Sequence, residues 1–170
     1  MTQVTHTREQ QRAQHALQSV NQVQAFVHER LEKADSRLND ASANEKDRKD
    51  AEKEKRKAKK FRDEYKSYAE SLPANIVMNG LGQACAMLLA QAGRQKSDGK
   101  KKESAHQLLY NHLQDWLCQG EQAAYPGQTD LVAAVINHGQ REYVRAQYES
   151  LAYLNWLKKF AQAYLAGEED

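Results

Sequence analysis

Apolar residues recur along this chain at steps of three and four, and no stretch keeps the alternation of a half-buried strand. Ala13, Ala16, Leu17, Val20, Val23, Val27, Leu31, Ala34, Leu38 and Ala41 follow that rhythm, the period of one helical face. The stripe is narrow, as in a helical hairpin or coiled coil, and predicts a first helix over about residues 4–39. A turn follows at "NDASANEKD", where Ser42 and Glu45 stand at capping-box spacing. A second helix is predicted from about 43 to 70, with Ala51, Ala58, Phe61, Tyr65, Tyr68, Ala69 and Leu72 on its apolar side. These positions crowd toward its C-terminal end. The base of the hairpin should therefore pack on a domain while its tip reaches into water.

Pro73 suits the first turn of a third helix, where its missing N–H costs nothing. That helix should run to about Ala92, with Gly93 as a stop. The polar run "RQKSDGKKKE", residues 94–103, reads as a loop. A fourth helix over about 103–118 shows Ala105, Leu108, Leu109, His112, Leu113 and Trp116 on one face. After the loop "QGEQAAYPGQ", Thr129 or Asp130 caps a short fifth helix that ends at His138. Gly139 breaks it, and a sixth helix runs from about Gln140 to Ala166, before a frayed "GEED". The expected fold is all-α: a single helical bundle of about six helices over residues 1–170. A charged hairpin arm should project over 31–60, with the bundle core in 61–166.

Composition refines this picture. A chain of 170 residues with 40% hydrophobic content suits one domain. No apolar run approaches the roughly 20 residues of a membrane span, and the polar "MTQVTHTREQQ" is no secretory signal. A cytoplasmic protein with no membrane contact is expected. Cys85 and Cys118 each lie in an apolar helical segment, as reduced core thiols would. The net charge of +2 conceals a block, residues 46–62, with ten Lys/Arg against four Asp/Glu. Such a concentration implies a directed positive surface.

Two basic surfaces follow from helical geometry. At 100° per residue, Lys46, Lys49, Lys53, Arg56, Lys57 and Lys60 fall within about 80° of one line. Asp47, Asp50 and Glu54 lie toward the first helix, where Arg30, Lys33 and Arg37 are placed to meet them. In the sixth helix, Tyr143, Ala146, Ser150, Tyr153, Leu154, Leu157, Ala161 and Tyr164 point to the core. Arg141, Arg145, Tyr148 and Lys159 point outward, with Trp156 at the edge. Cations interleaved with aromatics suit a phosphate backbone and stacked bases; the same aromatics equally suit packing on another helix or subunit. The loop lysines Lys96, Lys100, Lys101 and Lys102 add salt-sensitive, non-specific charge.

Signals for catalysis are missing. Six histidines occur, none at metal-ligand spacing with Cys, Asp or Glu, and there is no H-E-x-x-H, C-x-x-C or phosphate-cradling loop. "NGLGQA" lacks the preceding strand and third glycine of a dinucleotide fingerprint. No catalytic residue, metal or cofactor is expected, so the chain does not read as an enzyme.

Three stretches in order carry a resemblance: "LPANIVMNGLGQACAMLLA", "LYNHLQDWL" and "YVRAQYESLAYLNWLKKFAQAYL". They resemble the small α-helical subunit of the Cmr complexes, the type III-B CRISPR RNA-guided effectors. The positions concerned are Leu72, Pro73, Ile76, Gly80, Leu81 and Gly82, then Trp116 and Leu117, then Glu149, Leu154, Trp156, Leu157 and Lys158. The resemblance covers residues 61–165, with a looser fit through Ala13, Ala16, Leu17 and Val20. It implies a non-catalytic helical subunit that stacks in a short filament with copies of itself, beside the backbone subunit and other Cmr subunits. It also implies a contribution to the groove that holds target RNA, single-stranded or paired with crRNA. From the two basic faces, Arg141, Arg145, Lys158, Lys159, Lys49, Lys53, Arg56 and Lys60 are the expected RNA contacts; the family's function does not itself extend to the arm, which is expected to touch RNA or a neighbouring subunit. The charged stretch from about 32 to 60 is longer than the family suggests. A structural adaptor without RNA contact is the alternative. Gly80 and Gly82 cost a helix interior about 1 kcal/mol each. The expectation is that they admit a close helix neighbour, and that Trp116 and Trp156 share in packing or assembly; a simple kink at "NGLG" is the other reading.

Overall fold

The first helix starts where a side chain can satisfy its free N–H groups. Thr7 Oγ1 accepts from the Gln10 N–H, and the Gln10 side chain accepts from the Thr7 N–H, a reciprocal cap. The computed structural model describes residues 6–94 and 104–167. Its helices are α1 (Arg8–Leu38), α2 (Glu45–Asn79), α3 (Leu81–Arg94), α4 (Ala105–Cys118), α5 (Leu131–Asn137) and α6 (Gln140–Tyr164). No strand occurs among the described residues, and none of their helices is long and apolar enough to cross a membrane. The fold is an all-α bundle, as the apolar periodicity predicts.

Several boundaries differ from the sequence expectation, each for a local reason. α1 begins at Arg8, not near residue 4, because Thr7 takes the cap. Ser42 does not cap α2: its N–H and Oγ–H both go to Asp40 Oδ1 within the turn. Asn44 caps instead, accepting from the Asp47 N–H at 2.9 Å. Pro73 does not open a helix but lies inside α2, which continues to Asn79. An interior proline costs about 3 kcal/mol, yet Ala69, Leu72 and Ile76 are buried on either side of it. Continuous burial of that face outweighs the lost hydrogen bond. The break comes at Gly80, with φ 82° and ψ 160°, a region that in practice only glycine occupies. Asp130 caps α5 as predicted, through the Ala133 N–H.

The core is one continuous cluster from Ala16 to Leu165. Helix α6 runs antiparallel to α2: Tyr143 meets Leu81, and Gln162 reaches Glu70. Helix α4 is more enclosed than its predicted face requires, since His106, Tyr110, Leu117 and Cys118 are buried too. Tyr164, expected in the core, is 49% exposed, and Leu165 takes the buried place at the helix end. Cys85 and Cys118 are free and buried; burial pushes their thiols up to about 12 and about 11.

Beyond Val27 and Ala58 the hairpin buries little apolar surface, chiefly Ala34 and Ala51. Across it Lys55 Nζ meets Asp35 Oδ1 at 2.7 Å. Lys33 pairs with Glu29 on its own helix, not across the hairpin, because a partner four residues away is nearer. Arg30 lies over the Phe26 ring, 4.3 Å from its centroid, while Arg37 shares a depression near the turn with Asp47 and Asp50. Lys96, Lys100, Lys101 and Lys102 lie outside the described residues, as do 168–170 of the "GEED" tail.

Candidate nucleic-acid interface

The outward face of α6 meets α1 along a shallow groove lined by Glu9, Arg12, Tyr148, Ala152, Asn155, Trp156 and Lys159. Its rear wall is an ion pair. Arg12 Nε donates to Glu149 Oε2 at 3.2 Å and Arg12 Nη2 to Glu149 Oε1 at 2.8 Å, a two-pronged geometry that only arginine offers. Arg8 Nε approaches Glu149 Oε2 at 3.5 Å. Arg12 and Glu149 are both buried. Burial alone would raise the Glu149 carboxyl, but the hydrogen bond from Arg12 and the charges of Arg12, Arg8 and Arg145 hold it below its usual range.

From Arg12 the network continues to the rim. Arg12 Nη1 donates to Glu9 Oε2 at 2.8 Å, and the Trp156 indole N–H donates to Glu9 Oε1 at 2.6 Å. Those two hydrogen bonds, Trp156 first, lower the Glu9 carboxyl. Trp156 is thereby fixed at the groove edge, stacked on Phe160 with centroids 5.5 Å apart. Lys159 Nζ lies 5.8 Å from the Trp156 ring. Tyr148 stands 66% exposed, with the Arg12 guanidinium 6.0 Å from its ring. Arg8, Arg12, Arg145 and Lys159 thus surround two carboxylates whose oxygens are already engaged, leaving a positive excess beside two aromatic rings. Such a surface can hold an anionic strand and stack bases.

The expected contacts divide. Arg141, Arg145 and Lys159 share the outward line of α6 and are exposed, though Arg145 Nη2 also donates to the Gln122 carbonyl at 2.8 Å. Lys158 is half-buried and sits about 100° away, on the flank from which Gln162 reaches α2. It does not join the other three. Lys49, Lys53, Arg56 and Lys60 are exposed on α2, well along the arm. Trp116 is buried inside the bundle, stacked on Tyr153 with ring planes 12° apart, and Arg8 covers its ring at 4.1 Å. Gly80 ends α2 and has no place in a helix interior; a Cβ there would stand 2.7 Å from the Tyr143 hydroxyl. A Cβ on Gly82 would stand 3.2 Å from Val135 Cγ1.

Arg8, Glu9 and Arg12 escape a reading based on charge runs. A signal exists nonetheless. Arg12 lies four residues before Ala16, on the buried seam that continues through Val20, Val23 and Val27. Glu149 lies in register with Ala146 and Tyr153. A cation and a carboxylate that each fall at core register must find a partner, because an unpaired buried charge is too costly. Among the described residues, no three His, Cys, Asp or Glu side chains converge in a way that would hold a metal ion.

Comparison with known proteins adds a family. Residues 40–164 match the profile of the CRISPR-associated protein family Cas_Cmr5. A curated relative from Thermus thermophilus, the "CRISPR system Cmr subunit Cmr5", is 33% identical over 104 residues, or 61% of this chain and 77% of that protein. The profile match takes in residues 40–60 as well, the α2 half of the arm that the sequence resemblance had set apart.

Proposed function

The chain belongs to the CRISPR-associated Cas_Cmr5 family, and from that premise we propose that it is a non-catalytic subunit of a Cmr effector complex that holds target RNA against α6. The groove between α1 and α6 carries this reading. Its carboxylates are neutralised from within by Arg8 and Arg12, so Arg141, Arg145 and Lys159 are left for phosphates. Tyr148 and the edge of Trp156 offer stacking surfaces, which are indifferent to base identity. The chain would accordingly hold RNA without reading its sequence.

Assembly with other Cmr subunits, the backbone subunit and neighbouring copies belongs to the same proposal. Exposed apolar side chains support it: Met78 at 80%, Ile136 at 73%, Val77 at 69% and Val144 at 59%. They sit on three helices that converge where Gly80 meets Tyr143 and Gly82 meets Val135.

Fluorescence anisotropy with a labelled 20-nucleotide oligouridine tests the RNA face. Arg141→Glu/Arg145→Glu/Lys159→Glu should weaken binding and flatten the dependence of log K on log salt by about 2, since each single-strand phosphate contact contributes about 0.7. Tyr148→Ala should cost about 1–3 kcal/mol of binding through lost stacking. Wild-type affinity and salt slope in the triple variant would mean that α6 does not face RNA.

A further inference from the structure

The groove on α6 leaves the arm unexplained. Lys49, Lys53, Arg56 and Lys60 fall within about 60° of one another around α2, directly away from the buried Ala51, Ala58 and Ala69. All four are exposed. Lys49 and Lys60 touch carboxylates one turn away, Glu45 at 2.6 Å and Glu64 at 3.6 Å, yet keep 72% and 75% of their side chains in solvent. Exposed pairs of this kind are worth only about 0.3–0.5 kcal/mol and yield readily to a stronger anion. Asp35 is taken by Lys55 across the hairpin, and Asp47 and Asp50 line the depression near the turn, while exposed Glu52 and the Arg62-paired Asp63 flank the ridge. No acidic residue falls within the 60° line of these four cations itself.

Three features favour a phosphate backbone as the partner. From residue 49 to 60 the ridge carries no aromatic side chain, so it offers charge and no stacking. At 1.5 Å per residue its ends lie about 16 Å apart, long enough to track several consecutive phosphates of one strand. The ridge also shares one uninterrupted helix with Leu72 and Ile76 of the core, so it is held rigidly relative to the bundle. Because α6 ends near the level of Arg62, where Gly167 packs, the ridge extends the positive surface past the end of the bundle.

We propose that the outer ridge of the arm is a second, sequence-independent contact for the RNA backbone, separate from the α6 groove. The inference shares its ligand with the reading above, but the two fail separately. The test uses the full chain and labelled 20-nucleotide oligouridine, with Lys49→Gln/Lys53→Gln/Arg56→Gln/Lys60→Gln beside the α6 triple variant. Glutamine keeps helix propensity, and circular dichroism checks the fold of each variant. The arm variant should bind about 500-fold more weakly at about 0.1 M salt, with the log–log slope flattened by about 3. A Lys49→Arg/Lys53→Arg/Arg56→Lys/Lys60→Arg variant, which keeps the charge, should bind as wild type. Wild-type affinity and slope in the glutamine variant overturn the inference, whatever the α6 variant does. So does normal RNA binding combined with failure to enter a Cmr complex, which would make the ridge's partner an acidic protein surface. Loss in the arm variant with none in the α6 variant supports the ridge and removes the groove.

Discussion

His112 lies on the predicted apolar face of α4 and is a neutral core residue. Its Nε2 faces Gln22 Oε1 at 3.0 Å, and its Nδ1 faces the Tyr65 hydroxyl at 2.7 Å. Gln22 Oε1 can only accept, so Nε2 carries the proton and Nδ1 accepts from Tyr65. Burial lowers the pKa from 6.5 to about 4. Above pH 6.5 the ring is neutral in both folded and unfolded chains, and its full contribution to stability is present. As pH falls from 6.5 toward 4 the unfolded chain takes up the proton first and that stability is lost. The shift amounts to about 3 kcal/mol, against a total of about 5–15 kcal/mol for a domain. His15 and His106 are lowered by burial too and act in the same direction. Thermal melting should therefore weaken steadily below pH 6.5, and NMR titration should find the His112 midpoint near 4. A midpoint near 6.5 would show that the Tyr65–His112–Gln22 chain is open to water. The residue was legible as core from its spacing; its partners on α1 and α2 were not, because periodicity does not say which helices meet.

Helix boundaries show where local sequence prevails and where packing does. Glycine punctuation and Asx capping are local, so the α5 cap at Asp130 was legible. The proline was misleading, since the buried face of α2 carries the helix through it. Gly80 and Gly82, two residues apart, consequently do different work. Gly80→Ala places a side chain at φ 82°, within 2.7 Å of Tyr143 Oη, and threatens the bond from the Leu81 N–H to that hydroxyl. Backbone strain of about 1–3 kcal/mol and a lost hydrogen bond of about 1 kcal/mol predict a loss of about 2–4 kcal/mol. At roughly 2–4 °C per kcal/mol, the melting temperature should fall by about 5–15 °C. Gly82→Ala gains about 1 kcal/mol of helix propensity and gives some of it back against Val135 Cγ1 at 3.2 Å. Its melting temperature should stay within about 4 °C of wild type. Equal losses in the two variants would show that both glycines serve only close packing.

At the scale of the whole molecule the bundle and the arm are energetically distinct. The continuous core reaches Val27 on α1 and Ala58 on α2. Beyond them stand little more than Ala34, Ala51 and the Lys55–Asp35 pair. Two buried methyl groups and an exposed ion pair supply about 1–2 kcal/mol. Replacing residues 32–56 by a short turn should then leave the bundle folded, with a melting temperature within about 5 °C of wild type. The same shortening should reproduce the RNA-binding loss of the glutamine ridge variant. Unfolding on shortening would show that the arm nucleates the bundle.

The order of helices, the all-α bundle, the sparsely buried hairpin tip and the outward basic lines of α2 and α6 were determined by residue order alone. Each follows from periodicity, and periodicity is a property of neighbours in sequence. Tertiary structure alone decided that Arg12 and Glu149, 137 residues apart, join behind the α6 groove, and that Glu9 anchors Trp156. It also decided that Gly80 gives way to Tyr143. These depend on which faces meet across the core, and that is settled by summed burial over many residues, which no short stretch of sequence contains.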